Sequence, residues 1–335
     1  MKNGISRFEF YLQKVDGMMQ QAGKAQNPAL WLYTNDARTP FFMLEALGRL
    51  HSTLHNKKIF SKLKDRFKLM EDGFGQVDYY DNYGKIFLAH PTVPVHIREY
   101  MQAQAREKIQ HINDLLLAEG WLGENNQRLK KIRKKLFAAD WLEAKDEAKA
   151  IKGFYEEEIK GIVKFVNAAN GNFTDMESHV HELRRDIRWL SIYPQALQGM
   201  IQLTDSGKAV PEIQKYLIPE IINSRYNKMP DAGSNSWFLM LEKSYFLALS
   251  WLIAEMGKFK DQGLQVSAVT EALQQTEGLT HDIAYQKSFL LLDIAPESEQ
   301  QLLTTASAIT ATFLQEKILD KLLYGLANIK QVKSE

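Results

Sequence analysis

Four basic side chains stand at helical spacing between residues 178 and 190, where the chain reads SHVHELRRDIRWL. In a helix, His181, Arg184, Arg185 and Arg188 share one side and follow each other along about two turns. The apolar residues of the segment fall on another face. One guanidinium group can donate two parallel hydrogen bonds to two oxygens of a phosphate. The chemistry that this segment offers is therefore the binding of an anion.

The same segment also has a simpler interpretation. Like charges at offsets of three and four residues repel each other by about a few tenths of a kcal/mol per pair, unless an anion or a carboxylate lies between them. Glu177, Glu182 and Asp186 lie on the same predicted helix and can supply those carboxylates. Spacing alone therefore leaves two interpretations open: a solvated helix face with internal ion pairs, and a surface for an external anion.

A second basic run, LKKIRKKL at residues 129–136, surrounds a stripe of Leu129, Ile132 and Leu136. Such a run is typical of a solvated helix face, with contact to a polyanion as the alternative. No aromatic residues alternate with its lysines, so it lacks the stacking surfaces that single-stranded nucleic acid requires. We expect no sequence-specific binding of nucleic acid.

Signals for catalysis are weak. The chain has no cysteine, and its eight histidines form no H-E-x-x-H motif. Asp72, Asp78 and Asp81 resemble the carboxylate clusters that hold Mg²⁺-bound diphosphate in helical prenyl-transfer enzymes, but the doubled aspartate and a second cluster are missing. We therefore predict a protein that is not an enzyme and that has no cofactor and no metal site.

Composition excludes a strong overall field. Lysine and arginine number 42, aspartate and glutamate number 41, and the formal net charge is +1 over 335 residues. Any site for a polyanion must therefore be a local patch.

The most apolar stretch, residues 237–256, contains Glu242, Lys243 and Glu255, which favours a buried helix over a membrane span. With no export signal recognised at the N-terminus, we expect a cytoplasmic protein that does not bind membranes.

Helical periodicity dominates the chain, which has nine prolines and nineteen glycines, and the predicted fold class is all-α with no strand. Asn27-Pro28 and Thr39-Pro40 are predicted helix starts. Helices are also predicted over 195–204, 235–260 and 297–328. The break at 167–173 (NAANGNF) separates two predicted helical bundles, residues 1–170 and 171–335. Thr174 and Glu177 predict a capping box for a helix that begins at Asp175 and extends to Tyr193, where Pro194 kinks or ends it.

A faint internal repeat links the two halves. The apolar helix at 41–50 leads into FKLMEDGFGQVD at 67–78, and the helix at 181–190 is followed later by ALSWLIAEMGKFKD at 248–261. Each half thus pairs a helix that carries arginine and leucine near its end with a helix that ends in glycine, two residues and a charge.

The string HELRRDIRWL at residues 181–190 resembles the signature of the conserved histidine α-helical domain (CHAD) family, which reads roughly H-x-L-R-x-x-x-R-R-L-R. The matching positions are His181, Leu183, Arg184, Arg188 and Leu190, whereas Trp189 and Ser191 replace further basic residues. MGKFKD at 256–261 is similar to the end of a later helix in that family, and FGQVD at 74–78 to its first-half counterpart. The first-half counterpart of the histidine helix keeps Arg49, Leu50 and His51.

The resemblance implies two related helical bundles that face each other across a basic groove, which binds inorganic polyphosphate or a similar phosphorylated polyanion without catalysing a reaction. It implies these ligand-facing residues: His181, Arg184, Arg188, Lys260, Arg49 and His51. Arg185 joins them from its helical phase alone. Because the chain is nearly neutral and its first-half helix has few basic positions, we expect weaker binding than a fully basic groove would give.

Two other classes of function remain open. In one, the chain is a helical scaffold with a protein partner and no polyanion ligand. In the other, it is a metal-dependent helical enzyme, which would require the carboxylates of residues 72–81 to converge with others on one cavity.

Overall fold

The computed structural model describes residues 2–123, 127–207, 210–295 and 298–328. The first seven helices are α1 (Asn3–Ala22), α2 (Pro28–Thr34), α3 (Arg38–Leu54), α4 (Lys57–Leu88), α5 (Val95–Ala118), α6 (Gln127–Phe137) and α7 (Ala144–Ala168). After a π-helical turn over Met176–His181 come α8 (Glu182–Ala196), α9 (Pro219–Ile222), α10 (Lys243–Glu277), α11 (His281–Leu292) and α12 (Ser298–Gln315). The chain is predominantly helical, which confirms the all-α fold class.

A small sheet lies among the helices, so the prediction of no strand was wrong. Its strands are β1 (Ile201–Thr204), β2 (Trp237–Glu242) and β3 (Leu323–Asn328), in the order β1-β2-β3. β1 is parallel to β2, with Ile201 opposite Leu239, and β3 is antiparallel to it, with Trp237 opposite Asn328. Each strand lies inside a segment predicted as helix: 195–204, 235–260 or 297–328. In β2, five of six residues are buried, and periodicity does not separate a buried strand from a buried helix.

Helix starts were predicted with mixed success. Asn27 caps α2 as expected, since its side-chain oxygen accepts a hydrogen bond from the Leu30 amide at 3.1 Å. The Thr39-Pro40 start was wrong, because α3 already begins at Arg38 and the Thr39 hydroxyl donates to Asp36.

The start of the histidine helix is close to its predicted position, with a different cap. Asp175 replaces the predicted Thr174–Glu177 capping box: its carboxylate accepts a hydrogen bond from the Ser178 amide at 2.6 Å. Pro194 lies within α8, which continues to Ala196.

α3 lies at the centre of the packing and contacts α1, α4, α7 and α8, while α10 contacts α5, α8, α11 and α12. One large buried core includes Leu44 and Leu47 of α3 together with Leu183 and Ile187 of α8. A smaller core joins the end of α4 to α5, α10 and α11. Buried side chains thus continue across residue 170, and the division into bundles 1–170 and 171–335 stays a prediction, as does the internal repeat. Residues 329–335 of the second bundle lie outside the described ranges.

Within the described ranges, no helix is both long enough and apolar enough to cross a membrane.

The crossing of α3 and α4 depends on Gly48. A Cβ atom at this position would lie 2.9 Å from Lys64 Cα, which is closer than atoms of a backbone can tolerate without movement. We expect Gly48→Ala to lower the free energy of unfolding by about 1–3 kcal/mol, because the two helices must separate. Gly161→Ala is the control, since a Cβ on this exposed face of α7 meets open space and should stabilise by about 0.5–1 kcal/mol. Urea denaturation measures the free energy of unfolding of both variants. If Gly48→Ala is as stable as Gly161→Ala, the helices do not cross closely at Gly48.

Candidate functional site

Three helices enclose a pocket of about 390 Å³, which we call the basic pocket. Its lining residues are Arg38, Phe42, Glu45 and Arg49 of α3; Lys64, Lys68, Glu71 and Asp72 of α4; and His181, Arg184, Arg185, Arg188, Trp189 and Ile192 of the π-helical turn and α8. Seven of these residues are arginine or lysine and three carry carboxylates. Positive charge that is balanced over the whole chain is therefore in excess at this site.

The basic side chains of α8 reach the pocket because of how that helix packs. Leu183, Ile187 and Leu190 are buried in the large core, which turns the next side chains around the helix towards α3 and α4. Arg184 and Arg188 are partly buried at this edge, while Arg185 remains exposed. The helical phase read from the sequence therefore positions the predicted arginines correctly relative to the core.

Arg184 lies against α10. A Cβ at Gly257 would be 3.1 Å from Arg184 Nε, so the glycine provides the space for the guanidinium group. Arg184 Nε is buried and has no hydrogen-bond partner. Burial lowers the pKa of Arg184, and the distant charge of Asp261 acts in the opposite direction.

Arg188 lies over the ring of Phe42, with its guanidinium carbon 4.8 Å from the ring centroid. Burial, together with the positive charges of Arg184 and Arg38, lowers the pKa of Arg188 to about 10. Among the residues that the structure describes, neither Arg184 nor Arg188 forms an ion pair or donates a hydrogen bond from its side chain. Two guanidinium groups thus lose hydration without gaining a carboxylate, and an anion in the pocket would compensate both.

The other cations of the basic pocket are engaged. Arg38 forms ion pairs with Glu71 and Asp78, and although its burial acts to lower its pKa, these carboxylates raise it. Arg49 pairs with Glu158 at 3.0 Å and lies 5.2 Å from the ring centroid of Trp189.

Carboxylates one to four residues away in the sequence pair with the remaining basic side chains of the pocket. The pairs are Lys64–Asp65, Lys68–Asp72, Arg185–Glu182 and His181–Glu177. The predicted neutralisation by Glu177 and Glu182 is therefore present for His181 and Arg185, and absent for Arg184 and Arg188.

Five of the seven predicted site residues line the basic pocket: Arg49, His181, Arg184, Arg185 and Arg188. Lys260 lies in an adjoining cavity that also includes His181, and it pairs with Asp261 at 2.7 Å.

His51 lies elsewhere. Its ring is fully buried, stacked on His55 and edge-on to Trp141, and neither ring nitrogen has a hydrogen-bond partner. Burial keeps the pKa of His51 well below its usual value. Because residues two apart on a helix do not share a face, Arg49 and His51 could not both reach the pocket.

Five charged residues of the basic pocket were missed from the sequence: Arg38, Glu45, Lys64, Lys68 and Glu71. Arg38 stands at offsets of four, seven and eleven from Phe42, Glu45 and Arg49, so the stripe that contains Arg49 could have revealed it. For Lys64 and Lys68 on α4 no signal was available, since only the packing of α4 against α3 brings them to α8.

The second basic run does not contribute to the basic pocket. Lys130 and Lys131 are exposed on α6, which packs against α1, and Arg133 pairs with Glu9 and Asp16 at 2.9 Å.

The aspartates considered for metal binding pair with cations instead: Asp72 with Lys68, Asp78 with Arg38, and Asp81 with Lys85. In the described part of the chain, no group of three or more histidine, aspartate or glutamate residues is placed to hold a metal ion.

No protein-family model matches the sequence, and no curated protein matches it significantly. The resemblance to the CHAD family therefore stays a prediction.

Replacement of Arg188 by methionine tests whether its charge lacks a partner. We expect Arg188→Met to raise the free energy of unfolding by about 1 kcal/mol, because it removes a partly buried charge and replaces the cation–π contact with Phe42 by a sulfur contact with the same ring. The matched control, Arg38→Met, should lower it by about 2 kcal/mol because Glu71, whose side chain is 10% exposed, loses its partner. Urea denaturation in phosphate-free buffer measures both. Equal losses in the two variants would show that Arg188 is neutralised within the protein.

Glu45 makes the stability of this region depend on pH. Burial and the negative charge of Glu71 raise the pKa of Glu45 from 4.5 to about 7, against the opposing effect of Lys68 and Lys64. The folded state therefore binds more protons than the unfolded state between these values, and the free energy of unfolding falls as pH rises through this window. Glu45→Gln should match the wild type near pH 4.5 and be more stable by about 2 kcal/mol near pH 8. If the difference in free energy of unfolding between Glu45→Gln and the wild type is the same at every pH, the raised pKa of Glu45 is wrong.

Proposed function

We propose that this chain is a non-enzymatic helical protein that binds inorganic polyphosphate, or another phosphorylated polyanion, in the basic pocket. The observation that carries the proposal is the pair Arg184 and Arg188, which lie partly buried in a pocket with excess positive charge and have no carboxylate partner among the described residues. Their unused guanidinium donors match the spacing of phosphate oxygens.

The surrounding charges favour a ligand with several phosphate groups. Arg38, Lys64 and Lys68 line the wall opposite α8, so a ligand between the walls meets cations on both sides. Each phosphate that is neutralised releases counterions, which makes the affinity depend on salt concentration. Arg38, Lys64 and Lys68 already have carboxylate partners, so we expect the affinity to be moderate. We also expect it to fall steeply as salt is added.

The CHAD resemblance supports the same ligand class. Of the residues that it implies, His181, Arg184, Arg188 and Arg49 line the basic pocket, and Lys260 lies in the cavity next to it. The burial of His51 does not fit the resemblance, since this residue is closed off from any ligand. The proposal places the protein in the cytoplasm, where phosphorylated polyanions are available.

A helical protein-interaction scaffold remains the second candidate, and a specific observation favours it. Arg38, Arg49, Lys68 and Arg185 all have carboxylate partners within the chain, as expected of a charged surface that needs no ligand. The two candidates differ in what they expect of the basic pocket: a scaffold predicts no affinity for polyphosphate at low salt.

The double variant Arg184→Ala/Arg188→Ala tests the polyanion site. We expect it to bind long-chain inorganic polyphosphate about 100-fold more weakly than the wild type, because two charge-assisted contacts are lost. The slope of log affinity against log salt should also become shallower by about 1.4, at about 0.7 per phosphate contact. Isothermal titration calorimetry between about 50 and 200 mM salt measures both quantities.

The double variant Lys130→Ala/Lys131→Ala is the matched control. It also removes two positive charges, but from an exposed helix face outside the basic pocket. The affinity and the salt slope should therefore stay near the wild-type values. If both double variants lose affinity equally, the binding is a general charge effect. If the wild type does not bind at low salt, the polyanion proposal is wrong.

A further inference from the structure

The basic pocket adjoins a second cavity of about 490 Å³, which we call the tyrosine pocket. Arg38 and His181 line both cavities, and Tyr33, Tyr79 and Tyr83 line the second. Both volumes lie in the range of about 300–1,000 Å³ that is usual for sites of small molecules. The two cavities thus adjoin at Arg38 and His181, and we call them together the groove.

Arg38 is held at this junction by its ion pairs with Glu71 and Asp78. A Cβ at Gly75 would lie 2.8 Å from Arg38 Nη2, so the guanidinium group lies directly against this glycine of α4 and a larger residue would shift it. Gly75 itself lines the tyrosine pocket and a third cavity beside it, together with Tyr79.

The two parts of the groove differ in charge. The basic pocket has seven arginine and lysine side chains against three carboxylates. The tyrosine pocket has three of each kind: Arg38, Lys85 and Lys260 against Asp78, Asp81 and Asp261. A phosphate chain that extended into the tyrosine pocket would gain no net attraction there, and it would meet carboxylates that repel it. A ligand that reached from the basic pocket into the tyrosine pocket would therefore need a part other than phosphate there.

Tyr79 gives the tyrosine pocket a fixed aromatic surface. Tyr80 and Tyr83 contact its ring edge-on, each with centroids 5.0 Å away, and its side chain remains partly exposed. The hydroxyls of Tyr33 and Tyr83 are engaged, by Asp81 at 2.8 Å and by the Asp261 carbonyl at 3.4 Å. In the described part of the chain the hydroxyl of Tyr79 makes no hydrogen bond. A planar ligand would meet a ring that is already immobilised, which lowers the cost of ordering it.

We infer that the ligand of this groove is a nucleoside polyphosphate, an inference that rests on the proposed phosphate binding in the basic pocket. The phosphates lie between Arg184, Arg188 and the wall formed by α3 and α4, and the base stacks on Tyr79. Asp81 and Asp261 retain free lone pairs that accept hydrogen bonds from ribose hydroxyls or from an amino group of the base. Inorganic polyphosphate is not attracted by the carboxylates of Asp81 and Asp261 or by the ring of Tyr79. In a nucleotide complex the carboxylates accept hydrogen bonds and the ring stacks on the base.

The test compares ATP and GTP with inorganic tripolyphosphate, which carries the same phosphates without nucleoside, by calorimetry at low salt. We expect the tighter nucleotide to bind about tenfold better than tripolyphosphate, since base stacking on an aromatic side chain contributes in this range. Tyr79→Ala should remove that advantage and leave tripolyphosphate binding unchanged, whereas Tyr79→Phe should retain it. Tyr324→Ala, which removes an exposed tyrosine on β3, is the control and should bind like the wild type.

The outcomes separate this inference from the proposed function. Equal affinity of the wild type for nucleotides and tripolyphosphate would overturn the nucleotide inference and leave phosphate binding intact. A nucleotide preference that Tyr79→Ala does not reduce would also overturn it. If the wild type binds neither ATP, GTP nor tripolyphosphate, the nucleotide inference fails, and the titration with long-chain polyphosphate decides the proposed function separately. The wild-type comparison needs no variant, so the inference can be tested even if Tyr79→Ala does not fold.

Discussion

Burial of charge between α3, α4 and α8 is the constraint on which the site depends. These helices bring charged side chains out of water, and each such group requires a partner or a change of protonation. Arg38 with Glu71 satisfies the requirement by pairing, and Glu45 does so by a raised pKa. Arg184 and Arg188 have no partner among the described residues, and burial lowers the pKa of both, that of Arg188 to about 10. The basic pocket is the consequence of this imbalance.

The packing that creates the imbalance is built from ordinary features. α3 approaches α4 closely at Gly48, and the apolar face of α8 is buried in the same core. Gly75 and Gly257 then make room for Arg38 and Arg184, which lie on opposite walls of the groove. In each half of the chain an arginine rests on a glycine that follows a buried residue, Phe74 or Met256. Arg38 lies outside the helix at 41–50 that the predicted repeat pairs with residues 181–190, so the repeat itself stays a prediction.

Near-neutrality of the whole chain conceals a local separation of charge. The total of 42 basic and 41 acidic residues gives no overall attraction for a polyanion. Within the basic pocket the balance is seven to three, and in the tyrosine pocket it is even. A ligand is therefore selected by short-range contacts rather than by long-range steering, since charges beyond about 8 Å are largely screened at physiological salt.

Local sequence patterns determined the helical class, most of the long helices and the phase of the arginine stripe on α8, because helical periodicity and capping depend on neighbours in the chain. They did not determine the strands, since β1, β2 and β3 are apolar runs whose pairing partners lie far away in sequence. Arg184 and Arg188 were found from their spacing, whereas Lys64, Lys68 and the burial of His51 depend on which helix faces which. The pairing of Arg185 with Glu182, three residues away on the same helix, follows from the sequence. Tertiary packing alone decided that Arg184 and Arg188 are partly buried with no carboxylate partner among the described residues, because burial and contacts between helices are set by distance in space and not by offset along the helix.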